Sequence, residues 1–165
     1  MSIIKNITDK IRPETKVIWI ESPTNPTLKI IDIAAVCEAV KKVNPDIKIL
    51  VDNTYASSYI TSPLLLGADV SINSLTKHGG GHADITMGIM IFKDKEFYDK
   101  IHFNAYTVGT CPSPFDCYLA LRSLKTFGLR IHNATRTAYH VAHFLQQHEC
   151  IDGVFYPGLK NSPGH

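Results

Sequence analysis

At 165 residues, with 44% hydrophobic and 19% charged side chains, the chain is long enough to enclose a core and too apolar to stay disordered. Its net charge of +2 comes from scattered lysines rather than a basic stripe, which argues against nucleic acid as a partner, and no apolar run reaches the length of a membrane span. The opening residues lack the apolar core of a signal peptide, and the four cysteines, Cys37, Cys111, Cys117 and Cys150, are widely spaced without a Cys-x-x-Cys pair, so free thiols and a cytoplasmic setting are expected.

Residues 1–15 read as a short polar lead-in. Lys16 to Glu21 is a run of β-branched and aromatic residues that predicts a buried strand, and Pro23 and Pro26 stop it and stiffen the loop that follows. Asp32 is a plausible N-cap for a helix to about Lys42 with Ile33, Val36, Cys37 and Val40 on one face. Ile47 to Val51 is a second apolar run, ending in Asp52-Asn53-Thr54. Ser62-Pro63 opens a brief helix over Leu64 to Leu66 that Gly67 stops, Val70 to Ile72 makes a third strand, and Met87 to Phe92 a fourth. Further helices are predicted around Phe97 to Ile101, from Ser113-Pro114 through Leu124, and along Ile131 to about His148, with a last strand over Val154 to Tyr156.

Strands apolar on both faces and separated by helices are the pattern of an α/β protein with a mostly parallel sheet flanked by helices. Such sheets bind ligands at the carboxyl ends of their strands, which places Glu21, Asp52 and the segment after Val70 to Ile72 on one rim. That segment runs Asn73-Ser-Leu-Thr-Lys-His-Gly-Gly-Gly-His-Ala-Asp-Ile-Thr-Met-Gly88 and carries one lysine, Lys77. Gly79 to Gly81 permit close backbone approach and positive φ, and Ser74 and Thr76 can donate to an anion. Held at the end of a buried strand, the lysine is expected to lose hydration, which lowers its pKa and frees the amine as a nucleophile. Taken alone, the same stretch reads more readily as a glycine-rich surface turn with a solvated lysine.

Three chemistries compete for it. Ser74-x-x-Lys77 matches the serine-acylase motif, but the Ser-Asp-Asn and Lys-Thr-Gly elements of that mechanism are missing. His78 and His82 have metal-ligand spacing only if helical, which the glycines between them oppose, so both read as loop histidines; His132, His140, His143 and His148 read as solvated helix positions. No phosphate loop of the Gly-x-x-x-x-Gly-Lys-Ser/Thr type is present. Pyridoxal phosphate needs a Schiff-base lysine, an acid for its pyridine nitrogen and donors for its phosphate, and Lys77, Asp52, Ser74 and Thr76 offer one set of each.

The ordered series Glu21-Ser-Pro-Thr-Asn-Pro26, Val51-Asp-Asn-Thr-Tyr55, Gly67-Ala-Asp69, Ser74-x-Thr-Lys77, Gly81-His-x-Asp84, Gly109-x-x-x-Ser-Pro114, Leu121-Arg-x-Leu-Lys-Thr126 and Tyr156-Pro-Gly-Leu159 resembles the trans-sulfuration, or Cys/Met metabolism, family of pyridoxal-phosphate enzymes, nearest its cystathionine γ-lyase branch. The likeness runs from about Lys16 to His165. It implies the large domain of fold type I, the aspartate aminotransferase-like architecture, here incomplete. It also implies pyridoxal 5'-phosphate as cofactor, with Lys77 as Schiff-base lysine and proton shuttle, Asp52 at the pyridine nitrogen, Ser74 and Thr76 at the phosphate, Asn25 at the 3-oxygen, and Glu21 and Thr54 supporting the ring. No metal is implied. The substrate would be cystathionine or a related sulfur amino acid. Cleavage of cystathionine to cysteine, 2-oxobutanoate and ammonia, or the reaction of a methionine γ-lyase, cystathionine γ-synthase, cystathionine β-lyase or homoserine sulfhydrylase, shares this machinery.

The sequence departs from the family pattern at His78, where an aromatic residue is usual, and at Ser123, where glycine is usual. Family members also carry an N-terminal region with a Ser-Gly-Met phosphate turn and a ring-stacking tyrosine, and a C-terminal domain whose arginine grips the substrate carboxylate. None of these motifs occurs here, so the sequence resembles the middle of such an enzyme, with 16–156 as its α/β core and following helices. A catalytically inactive assembly partner stays open beside the enzyme. Members are typically tetramers whose dimers share active sites.

Overall fold

The structure, a computed structural model, describes residues 3–165. Its strands are β1 (Val17–Glu21), β2 (Lys48–Asp52), β3 (Val70–Ser74) and β4 (Gly88–Phe92), and its helices α1 (Ile3–Thr8), α2 (Ile33–Val43), α3 (Ser57–Ile60), α4 (Lys95–Val108), α5 (Pro114–Leu124) and α6 (Phe127–Gln146). A tight 3-10 turn covers Pro63–Leu66 and a wide helical turn Leu75–Gly79. Among these residues no helix is long and apolar enough to cross a membrane.

The sheet order is β1-β2-β3-β4. β2 lies inside it, and Ile49, Leu50 and Val51 are all buried, which is why this strand reads as a continuous apolar run rather than an alternation. β1 runs parallel to β2 with Glu21 opposite Asp52, and β2 parallel to β3. β4 departs from the parallel pattern and pairs antiparallel with β3, Ser74 opposite Gly88. The connection over 75–87 contains no crossover helix to carry the chain back to the far end of the sheet, so the next strand must return from the rim where β3 ended.

α2 covers the sheet as its sequence predicts. Asp32 caps it by accepting from Ala35 N at 3.0 Å, and Ile33, Val36, Cys37 and Val40 form the buried stripe. They pack with Ile20, Ile47, Ile49, Val51 and Ala68, and each valine or isoleucine among them, once fully buried, contributes about 1.5 to 3 kcal/mol. The lead-in is not merely polar: α1 lays Ile4 and Ile7 against this core, and Ile11, beyond the helix, packs there too. Gly67 ends the 3-10 turn with φ +102, a conformation that side chains rarely adopt. Ser113 caps α5 through Asp116 N at 3.1 Å.

The expected strand over Val154 to Tyr156 does not form. That segment pairs with no strand among the described residues; instead Tyr156 lines a cavity beside Ser22 and Pro23, which follow β1. The four cysteines are free, Cys37 buried and Cys111 and Cys150 exposed.

Candidate active site

The rim of the sheet is built by the strand ends. The two-residue period of an extended chain sends Asp52 and Thr54 to one side and Asn53 to the other, where Asn53 is fully buried and donates to Thr61 O at 2.8 Å. On the rim side, Asp52 Oδ1 accepts from Thr54 N at 3.0 Å, and Thr54 Oγ1 accepts from Ser74 N at 2.9 Å. These two bonds tie the ends of β2 and β3 together. The loop after β1 is closed on itself: Ser22 Oγ accepts from Ile31 N at 3.0 Å and Thr24 Oγ1 from Lys29 N at 3.0 Å, with Asn25 held within it.

These ends enclose a cavity of about 450 Å³ lined by Glu21, Asn25, Asp52, Thr54, Tyr55, Ser74, Lys77 and His78. The size suits a small cofactor. Of the residues singled out in the sequence, six line it. Thr76 does not: its hydroxyl accepts from Met87 N at 3.0 Å and faces Met87 O at 3.4 Å, joining the wide turn to the start of β4. Tyr55 and His78 enter the lining without having been singled out for it, although Tyr55 closes the Asp-Asn-Thr-Tyr motif and His78 adjoins the lysine.

A larger, mostly apolar cavity of about 690 Å³ adjoins the first and shares Tyr55 and His78 with it. It has no amine, and its one carboxylate, Asp32, is engaged as the α2 cap, so the polar chemistry belongs to the smaller cavity.

Lys77 sits in the wide turn with φ −92 and ψ −119, outside helical geometry, between Gly80 N–H bonded to Leu75 O at 2.6 Å and Gly81 N–H bonded to Lys77 O at 2.8 Å. The glycines serve close approach more than unusual φ. A Cβ on Gly79 would lie 2.5 Å from Leu75 Cδ2, one on Gly80 2.7 Å from Leu75 O, and one on Gly81 would run into the Arg130 guanidinium; of the three, only Gly81 has positive φ, +72. The side chain of Lys77 is exposed rather than dehydrated, so the burial anticipated for it is not supplied by the described residues. The turn is anchored from below by Leu75 and Ile85, which pack with Ala120 of α5.

His78 and His82 do not form a metal pair. His82 Nδ1 lies 2.7 Å from Gly80 O and 3.3 Å from Ser123 Oγ, while His78 is half-buried between the two cavities. Burial, and after it the nearby Arg130 guanidinium, push the His78 imidazole below its ordinary value.

The donor set matches pyridoxal phosphate. Among the described residues the Lys77 amine, the Glu21 carboxylate, the Asn25 amide, the Ser74 hydroxyl and the second Asp52 oxygen have no partner within the chain, so one nucleophile, carboxylates and neutral donors face one volume. An α/β sheet that presents a lysine and an acid on its carboxyl rim defines the cofactor-binding part of a fold type I pyridoxal-phosphate enzyme. Comparison with known proteins carries this further. Residues 1–165 match the family described as Cys/Met metabolism PLP-dependent enzyme. The chain is 44% identical over 158 residues to putative cystathionine gamma-lyase 2 of Caenorhabditis elegans, covering 96% of this chain and 40% of that protein. It is 43% identical over 165 residues to cystathionine gamma-synthase of Mycobacterium leprae, covering all of this chain and 42% of that one. The crystal structure of cystathionine gamma-lyase from yeast superimposes with a TM-score of 0.93 at 40% identity, over 99% of this chain and 42% of that one. The chain belongs to the Cys/Met metabolism family of pyridoxal-phosphate-dependent enzymes, and it spans about two-fifths of the length of these relatives.

Proposed function

We propose that this chain forms the central, cofactor-holding part of a carbon–sulfur lyase of trans-sulfuration, which cleaves cystathionine to cysteine, 2-oxobutanoate and ammonia. The observation that carries the reading is the single cavity shared by Lys77, Asp52, Ser74 and Asn25 at the ends of three strands. Pyridoxal phosphate, when bound, supplies the electron sink that lets protons leave carbon beside the amino group. Lys77 would anchor the cofactor and move the proton at the substrate Cα. Asp52, oriented by the Thr54 amide, would hold the proton on the pyridine nitrogen. Ser74 would donate to the phosphate; Thr76, whose hydroxyl donates to Met87 O and accepts from Met87 N outside the cavity lining, would have to release Met87 O to join it. Asn25 meets the 3-oxygen, and Glu21 and Thr54 support the ring.

The names of the relatives divide between γ-lyase and γ-synthase at nearly equal identity, so the synthetic direction is the second reading. Neither substrate choice is written in the rim residues, since they serve the chemistry common to both. The carboxylate clamp and half of the phosphate donors lie outside these residues in this reading, and the working enzyme is a homo-oligomer. Free cysteines on the surface fit a reducing, cytoplasmic setting. The test is to incubate the protein with pyridoxal phosphate and cystathionine and follow 2-oxobutanoate. Release that disappears in Lys77→Ala supports the lyase. In a second assay that supplies an activated homoserine ester and cysteine, formation of cystathionine, with no breakdown in the first assay, supports the synthase, and no turnover in either assay leaves the inactive assembly partner.

A further inference from the structure

Arg130, on the first turn of α6, lies far from Lys77 in sequence and outside the lining of the cavity, yet it holds the lysine turn by its backbone. Nη1 donates to His78 O at 2.7 Å, and Nη2 donates to Gly79 O at 3.2 Å and to Ser123 O at 3.0 Å, while Nε donates to Thr126 Oγ1 at 3.2 Å. No carboxylate pairs with this guanidinium among the described residues. Its fork is spent on the two carbonyls directly after Lys77 and on the junction of α5 and α6. A lysine in its place would have one point charge and could not span these acceptors. Gly81 is shaped to match, because a Cβ there would occupy the position of the guanidinium.

The carbonyl of Lys77 is itself held by Gly81 N–H at 2.8 Å, so three successive carbonyls, 77 to 79, are fixed. Fixing them fixes where the Lys77 Cα stands and the direction in which its flexible, exposed side chain leaves. We propose that Arg130 is a positioning residue for Lys77, setting the backbone of the wide turn so that the amine reaches the cofactor volume; this rests on the cofactor reading above. The alternative is a purely structural staple between the turn and the helices. The two differ in whether the attachment of the cofactor responds.

Arg130→Met and Arg130→Lys are compared with the parent and with Arg136→Met, an exposed control on the same helix. Three quantities are followed: hydrogen exchange at the Gly80 and Gly81 amides, the thermal midpoint, and the apparent affinity for pyridoxal phosphate read from the lysine-dependent visible band. The expected result for Arg130→Met is exchange faster by about tenfold or more and affinity weaker by about tenfold or more, since charge-assisted bonds to both carbonyls are lost. Arg130→Lys falls between, Arg136→Met matches the parent, and Arg130→Lys carries the test if the methionine variant does not fold. Unchanged exchange in the turn, or faster exchange with unaltered affinity, overturns the proposal while leaving the cofactor reading intact. Absence of the band in the parent sinks both.

Discussion

Asp52 and His78 show how single side chains on this rim take their character from their neighbours. Asp52 is aimed by one backbone amide and keeps one oxygen for the cavity. Asp52→Asn preserves the acceptor for Thr54 N–H and removes the charge, so it is expected to fold like the parent and to hold pyridoxal phosphate about tenfold to a hundredfold more weakly, measured by spectroscopic titration. His78 is pushed below its ordinary value of 6.5 by burial first and Arg130 second. The folded state thus binds fewer protons than the unfolded one between the two values. Stability from this group is fully present above about pH 6.5 and is lost as the pH falls from there through the lower folded value. His78→Gln is expected to flatten the acid side of a stability profile measured by urea denaturation; an unchanged slope would contradict this. The lysine, acid and hydroxyls stood out in the sequence because each lies at the end of an apolar strand or just beyond it. The exposure of Lys77 was not, since dehydration depends on what stands over the rim rather than on the turn itself. The engagement of Thr76 with Met87 was also hidden, as it follows from the direction of β4.

At the scale of elements, the sheet is held in register by Asp69. Its carboxylate accepts from Ile49 N at 2.8 Å and from Lys41 Nζ at 3.0 Å, while Lys41 also donates to Ile47 O at 2.8 Å, so α2, β2 and the entry to β3 meet at one partly buried charge pair. Asp69→Ala leaves the Ile49 amide without its acceptor and the Lys41 ammonium without its counter-charge, and a loss of about 2 to 4 kcal/mol is expected by urea denaturation. A loss within the range of ordinary surface substitutions would show that the pair is solvated instead. β2 and α2 were readable because burial on both faces of the one and one stripe of the other leave distinct patterns. The direction of β4 was not readable, since an apolar run has the same composition in either orientation. Val154 to Tyr156 has strand-forming residues but pairs with neither edge strand, and propensity without a partner does not make a strand.

At the scale of the molecule, both edge strands, β1 and β4, carry no further strand among the described residues and present apolar side chains. Trp19 on β1 is 58% exposed, and beyond β4 the helices α4 and α5 expose Phe103, Tyr106, Phe115, Tyr118 and Leu121, with no residue of α4 buried. Unpaired strand edges beside apolar surface favour association. Sedimentation is therefore expected to show concentration-dependent assembly of the isolated chain, and a strictly monomeric protein would contradict it. The proposed function depends on one property, that the rim cavity holds pyridoxal phosphate through Lys77. An absorption spectrum of the folded protein with the cofactor, taken beside Lys77→Ala, tests this most directly. A visible band in the parent that is missing in the variant is the predicted result; no lysine-dependent band in folded protein would contradict it.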